Sequence, residues 1–330
     1  MTDTVLSVRN LTTSFRSAAG PLTAVNDVSF DVRQGEVMGL VGESGSGKSV
    51  TLRSIMRLLP RGAQIGGTVT WAGQDLLKLS DAGIRAVRGG QISMIFQEPM
   101  TALNPVLPIR IQITENLRAH TDLDANGRAA RARELLDIVG IPDAARRLDE
   151  FPHQFSGGMR QRAMIAIALA SNPRLLLADE PTTALDVTIQ DQILNLILDL
   201  RDEFGMSVVF VTHDLGVVAA TCDRMAVMYA GRIVETGTVA DVFARPNHAY
   251  TRGLLGSVPQ AGAERSMLLS IEGTPPGLAA IPPGCAFNPR CTFAGDTCRT
   301  TRPELTSLGP DRSVACHHND AVVQAGSPVA

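Results

Sequence analysis

Hydrophobic and polar positions divide this chain into short strands and amphipathic helices. Apolar residues gather at Val5–Val8 and Val28–Val32, and Val37–Val41 holds no polar side chain at all. Short β-branched runs bounded by polar residues predict strands. Ser49–Leu59 predicts a helix closed by Pro60, and Ile92–Phe96 a strand running into Gln97-Glu98-Pro99. The period then changes. Arg128–Val139 sets Ala129, Ala132, Leu135, Leu136 and Val139 on one helical stripe, and Met159–Ala170 is helical as well. Strand and helix alternate again with Leu175–Ala178, the helix Thr188–Phe204, and the strands Val208–Thr212 and Met225–Tyr229. In that helix Ile189, Ile193, Leu196, Ile197 and Leu200 are expected to face inward. The pattern predicts an α/β class with a central, mainly parallel sheet. Residues 1–97 and 173–257 form the expected core, and 98–172 an inserted helical subdomain. From residue 258 Pro and Gly accumulate, as in Gly273-Thr274-Pro275-Pro276-Gly277, so 258–330 reads as a connector, a small cysteine-bearing module and a flexible tail.

Composition narrows the function classes. A chain of 330 residues with 44% hydrophobic and 19% charged residues is ordinary for a globular protein. A net charge of −3 gives no broad electrostatic attraction to nucleic acid or anionic lipid. Met1–Asn10 lacks the basic stretch and apolar core of a secretory signal. The longest apolar runs, near Met164–Ala170 and Ser207–Val211, are far shorter than the roughly 20 residues that cross a bilayer. The expectation is a soluble cytoplasmic protein; work at a membrane would need other subunits to hold it there.

Gly42-Glu43-Ser44-Gly45-Ser46-Gly47-Lys48-Ser49 fits G-x-x-x-x-G-K-[ST], with the strand before and helix after that the motif requires. Backbone amides of Gly42, Ser44, Gly45, Ser46 and Gly47 can converge on a β-phosphate at a helix N-terminus. Lys48 would bridge β- and γ-phosphate oxygens, and the Ser49 hydroxyl would ligate Mg²⁺. Asp179 ends an apolar strand, where a carboxylate reaches Mg²⁺ directly or through water. Glu180, one residue on, is placed to polarise an attacking water as general base. His213, after another strand, is expected to contact the γ-phosphate and steady Glu180. Gln97 can ligate Mg²⁺ or the water. Phe15 is the candidate to stack on adenine, with a plain core aromatic as its competing reading. Ser156-Gly157-Gly158 opens a predicted helix, an anion site with no phosphate of its own. Each feature alone has a bland reading, such as a glycine turn, solvated acids or a structural histidine; their order along one chain argues against those.

In that order the motifs resemble the nucleotide-binding subunits of ABC transporters, over roughly residues 5–245. The signature is Phe155-Ser156-Gly157-Gly158-Met159 and the D-loop Ala184-Leu185-Asp186. The resemblance implies a P-loop NTPase core and a head-to-tail pair of subunits enclosing two ATP molecules. Each signature then contacts the γ-phosphate held by the opposite P-loop. A narrower resemblance, to dipeptide/oligopeptide importer ATPases, rests on Glu98–Pro105, Phe155–Arg162, Pro246–Thr251, Gly284–Cys291 and Val314–His318. It implies a D-type subunit in a heterodimer with an F-type partner. It also implies two transmembrane permease subunits, an extracytoplasmic solute-binding protein, and a place on the cytoplasmic face of the cell membrane, without nucleic acid. Met159 departs from the commoner Gln, and Ala249 from the usual Pro. The rival classes are soluble ABC ATPases of translation or DNA repair, which carry two fused ATPase domains or a long coiled-coil insert, and a decayed regulatory subunit. Nickel, heme, glutathione or oligosaccharides are alternative cargoes.

Five cysteines are present, four of them crowded at Cys285, Cys291, Cys298 and Cys316. Clustered thiols in a reducing compartment read as metal ligands before disulfides. The spacing C-x5-C-x6-C-x17-C supplies four thiolates, enough for a [4Fe–4S] cluster or for zinc. Unligated core cysteines are the third reading. Some members of the resembled family carry a [4Fe–4S] cluster here. Cys222 reads as a small buried hydrophobe.

Overall fold

The computed structural model describes residues 3–18, 20–183, 185–257 and 271–328. Its strands, numbered along the chain, are β1 Thr4–Ser17, β2 Gly20–Arg33, β3 Val37–Val41, β4 Gln64–Trp71, β5 Gln74–Asp75, β6 Ile92–Ile95, β7 Leu175–Asp179, β8 Ser207–Thr212, β9 Arg224–Tyr229, β10 Arg232–Thr238, β11 Thr306–Gly309 and β12 Arg312–Val314. The chain divides into two compact units. One holds mainly Lys78–Val211 with Arg33–Glu36; the other holds Thr4–Val32, Val37–Leu77 and the chain from Thr212 onward.

In the first unit β6, β7 and β8 pair in parallel, Ile92 beside Leu175 and Asp179 beside Val211. Every residue of these strands is buried. That is what a parallel strand covered on both faces requires, and why the runs read as predominantly apolar. Between β6 and β7 the chain forms the helices Ile109–His120, Ala125–Ile138 and Gly157–Leu169 with short turns between them. Ala125–Ile138 starts three residues before the expected Arg128, because the Asp124 carboxylate accepts the Gly127 N–H at 2.7 Å and caps it. Ile109–His120 was not expected, although it buries Ile109, Ile113 and Leu117 at a spacing of four. The helix Val187–Phe204 buries Ile193, Leu194, Ile197 and Leu200, while Leu196 and Ile189 are only half-buried.

The second unit contains two sheets. One runs β2-β1-β4-β5, with β1 against β4 and β4 against β5 antiparallel. The other contains β11-β12-β10-β9-β3 in that order. Here β3 and β9 are parallel, and the remaining neighbours are antiparallel. The segment beyond residue 271 does not hang loose: Phe287 and Val322 are buried with Tyr229, Tyr250 and Leu255 in a single apolar cluster. A buried charge pins the same region. Glu235 in β10 is fully buried and accepts from Arg312 Nη2 at 2.8 Å and from the N–H groups of Asn247 and His248 at 2.8 and 2.9 Å. Burial, the dominant cause, pushes the Glu235 carboxyl up despite these partners. Among the described residues no helix is long and apolar enough to cross a membrane.

Candidate nucleotide site

β3 delivers the chain into the glycine loop with all five of its residues buried. Gly42 has φ +151°, and a Cβ there would stand 2.2 Å from the Met228 carbonyl oxygen. Gly47 has φ +103°, and its Cβ would stand 2.6 Å from the Ala24 oxygen. Both positions demand glycine for backbone shape and for space. Gly47 caps the helix Lys48–Ile55, whose first turn includes Ser49. The Ser46 carbonyl is tied to the Gly231 N–H at 2.9 Å, while Ser44 and Gly45 are exposed. Lys48 is buried and folds back over the loop, its Nζ donating to the carbonyl oxygens of Gly42 at 2.6 Å and Glu43 at 3.0 Å. The result is a rigid loop at a helix N-terminus with an internal ammonium, a suitable cradle for polyphosphate.

In the other unit Asp179 closes β7 fully buried, and Glu180 follows with its N–H on the Val211 carbonyl at 3.0 Å. Glu180 has φ +46°, a conformation that costs a non-glycine residue energy and recurs where a side chain must be aimed. Its Oε2 accepts from Gln97 Nε2 at 3.1 Å and from Thr183 Oγ1 at 2.8 Å. The structure therefore brings together Gln97 and Glu180, 83 residues apart in sequence, and adds Thr183, which sequence reasoning missed. His213 is exposed in the turn after β8. That turn is fixed by Asp214, which accepts the Gly216 N–H at 2.8 Å and caps Leu215–Thr221.

Ser156 caps Gly157–Leu169, its Oγ accepting the Met159 N–H at 3.3 Å. Ser156 and Gly157 are exposed on the unit's surface, and Phe155 beneath them is buried. Gly158 is wedged beside Val187–Phe204: a Cβ would approach Ile189 Cγ2 to 3.0 Å. Asp186 caps that helix by accepting the Ile189 N–H at 2.9 Å. Leu185 and Asp186 of the expected D-loop are described; Ala184 lies outside the described residues.

Two family profiles match this sequence, one described as ABC transporter over residues 25–183 and one as oligopeptide/dipeptide transporter, C-terminal region, over 234–298. The chain is 51% identical, over 97% of its length and 97% of the relative's, to a Sinorhizobium fredii protein named "Probable peptide ABC transporter ATP-binding protein y4tR". The chain belongs to the ABC transporter family, as an ATP-binding subunit. A Brucella abortus relative named as a peptide import ATP-binding protein is 50% identical over 94% of both chains. Among solved structures, the ATP-binding cassette MJ0796, a dimer in a post-hydrolysis state bound to ADP and Pi, matches with a TM-score of 0.64 and 30% identity. That match covers 71% of this chain and 98% of the cassette. The α/β fold is thus that of a P-loop ABC ATPase, and the chain is an ATP-hydrolysing enzyme.

Other expected parts of the ABC subunit are placed as follows. Phe15 lies within β1, half-buried, because β1 extends nine residues past the expected Val8. Sequence reasoning also missed Tyr250 and Arg290, which both bond to Glu43 in the P-loop. The signal lay in the segments Pro246–Thr251 and Gly284–Cys291, whose resemblance to importer ATPases carries no role for single residues. Cys222 packs against the apolar cluster as a small hydrophobe, and burial pushes its thiol up to about 12.

Cys285, Cys291, Cys298 and Cys316 line one small cavity, together with His248, His317 and His318. None of the four is in a disulfide. Burial raises Cys285 above the usual thiol range and pushes Cys291 and Cys316 up to about 11. Four soft sulfur donors facing one space fit the chemistry of an iron–sulfur cluster. The space itself is about 10 Å³. That is room for about one water. Among the described residues no group of three or more His, Cys, Asp or Glu is arranged to hold a metal ion. The zinc and [4Fe–4S] expectations therefore have the donor set behind them but not the arrangement.

Proposed function

We propose that this ABC subunit powers peptide uptake. The observation carrying this is the 51% identity, along nearly the whole chain, to a relative named for peptide transport, with a C-terminal region of the oligopeptide/dipeptide type. The working unit is a head-to-tail heterodimer with an F-type ATPase on the cytoplasmic face of the membrane. It is held there by two permease subunits and served by a solute-binding protein. Residues 98–172 act as the helical signature subdomain, 1–97 with 173–257 as the ATPase core, and 258–330 as the C-terminal module. Met100 and Val106, 58% and 74% exposed just beyond Gln97, offer apolar contacts for the permease.

In the reaction Phe15 stacks on adenine. Lys48 and the amides of Gly42–Gly47 hold the phosphates, and Ser49, Gln97 and Asp179 present hard oxygen ligands suited to Mg²⁺. Bound Mg²⁺ neutralises charge on the phosphate oxygens. Glu180 takes the proton of the attacking water and His213 steadies it at the γ-phosphate. Ser156, Gly157, Gly158 and Asp186 complete the site on the partner's nucleotide. The exposure of Ser156 and Gly157 supports that assignment, since it leaves the helix N-terminus open to a phosphate. Purification of the assembled complex tests the function. Two membrane-spanning proteins and a second ATPase should copurify, and peptide-loaded binding protein should stimulate ATP hydrolysis. Association with ribosomes or DNA would favour a soluble ABC protein, and stimulation only by nickel or heme would move the cargo.

We also infer that the four C-terminal cysteines ligate a [4Fe–4S] cluster, with zinc as the alternative; the donor set of four soft sulfurs supports this. Ligation requires the thiols to ionise and the cavity to widen. Iron and acid-labile sulfide measured after anaerobic purification decide it. Zinc without sulfide, or neither, rejects the cluster.

A further inference from the structure

The loop that holds the phosphates is itself held, from the far end of the chain. Glu43, its second residue, is fixed at three points. Its N–H donates to Tyr250 Oη at 2.7 Å, and its carbonyl oxygen accepts from Lys48 Nζ at 3.0 Å. Its carboxylate receives both terminal nitrogens of Arg290, at 2.7 and 2.9 Å. Arg290 is no surface arm. Its side chain is 6% exposed, and its Nε donates to the Glu272 carbonyl at 2.9 Å. Its guanidinium carbon lies 5.9 Å from the ring centres of both Tyr229 and Phe287. Those two rings pack against Tyr250, at 4.6 and 5.3 Å between centres, so both supports of Glu43 rise from one aromatic cluster. An exposed ion pair would contribute little, but a bidentate fork with its other donor also engaged sets geometry.

Two consequences bear on nucleotide. A carboxylate within a polyphosphate-binding loop repels the ligand unless it is neutralised, and Arg290 supplies the opposite charge at hydrogen-bond distance. The Glu43 carbonyl is also an anchor of Lys48, so a shift of Glu43 displaces the ammonium that meets the phosphates. We propose that Arg290 is a positioning residue of the ATPase, and that nucleotide affinity depends through it on the C-terminal segment 247 residues downstream of Glu43. The proposal rests on ATP binding at this loop, which family membership establishes independently of peptide as cargo.

The test uses the full-length chain titrated with Mg-ATP, and the assembled transporter for turnover. Arg290→Met is expected to raise KM for ATP and the ATP dissociation constant by about tenfold, as for loss of a charged hydrogen bond, with kcat within about twofold. Adding Glu43→Gln removes the stranded charge and should bring KM back to within about twofold of the Glu43→Gln single variant. A purely structural brace would instead lower the unfolding midpoint and leave KM of the folded fraction unchanged. That result, or a double variant as weak in ATP binding as Arg290→Met alone, overturns the proposal. Should Arg290→Met fail to fold, Arg290→Lys carries the test. It keeps the charge without the fork, and an intermediate rise in KM is expected; an unchanged KM overturns the proposal.

Discussion

Glu180→Gln separates proton acceptance from everything else that Glu180 does. The carboxylate oxygen that receives Gln97 at 3.1 Å and Thr183 at 2.8 Å can be replaced by the amide oxygen of Gln, which accepts both bonds equally well. The backbone keeps its bond to Val211 at 3.0 Å, and the left-handed φ of +46° is no worse for Gln than for Glu. Folding stability should therefore change by less than about 1 kcal/mol, and ATP affinity should be retained. What disappears is the base. General-base loss lowers turnover by about 10²- to 10⁴-fold. That is about 3 to 5 kcal/mol on the barrier. The assay is phosphate release by the assembled complex at saturating ATP, beside equilibrium ATP binding and a size measurement for the closed ATP-bound pair, which should accumulate. Glu180→Ala serves as the contrast, since it also strands the Gln97 and Thr183 donors and should lower stability as well. Turnover of Glu180→Gln within about threefold of the parent would refute the assignment of the base.

Burial holds the His248 imidazole down to about 4, and its Nδ1 accepts the Tyr250 N–H at 3.0 Å, which only the neutral ring can do. The unfolded chain protonates near pH 6.5, so it binds more protons than the fold between about 6.5 and 4, and stability falls as pH falls through that window. Urea unfolding should show a loss of about 3 kcal/mol from this group by pH 4, absent in His248→Asn. Arg312→Met leaves the fully buried Glu235 carboxyl without its counter-ion and should lower unfolding free energy by about 3 kcal/mol; chemical denaturation of the variant beside the parent checks this. Gly47→Ala forces a Cβ to 2.6 Å from the Ala24 oxygen at φ +103°, so ATP binding measured by titration should weaken by more than about tenfold.

The nucleotide motifs were legible because their chemistry is local. Gly42 and Gly47 are dictated by backbone angles and close carbonyls, and β6, β7 and β8 are predominantly apolar and buried along their whole length. Boundaries were less legible where a turn rather than a proline decided them. The first helix stops at Ile55, not Leu59, because Arg57 turns left-handed at φ +51° and the Leu58 N–H bonds back to Arg53 at 2.7 Å. β10 was hidden by Glu235, a charge in mid-strand whose partner Arg312 lies 77 residues away. β4 was hidden by Gly66 and Gly67, where Gly67 at φ +95° lies against the carbonyl oxygens of Arg9 and Asn10 in β1. Tyr250 and Arg290 could not be assigned from spacing, because each acts through a tertiary contact to Glu43, whereas Thr183 lies only three residues from Glu180 and carries no motif of its own.

The brace on Glu43 has a consequence for the order in which the protein is made. Synthesis runs from the N-terminus. Glu43 in the loop leaves the ribosome 247 residues ahead of its support at Arg290. A nascent chain carries every sequence motif of the ATPase well before it carries the residue that neutralises its own phosphate loop. On the proposal above, full affinity for nucleotide arrives only once residue 290 has emerged and folded back, and a product truncated before Phe287 would retain the motifs of an ATPase with ATP binding weakened as in Arg290→Met.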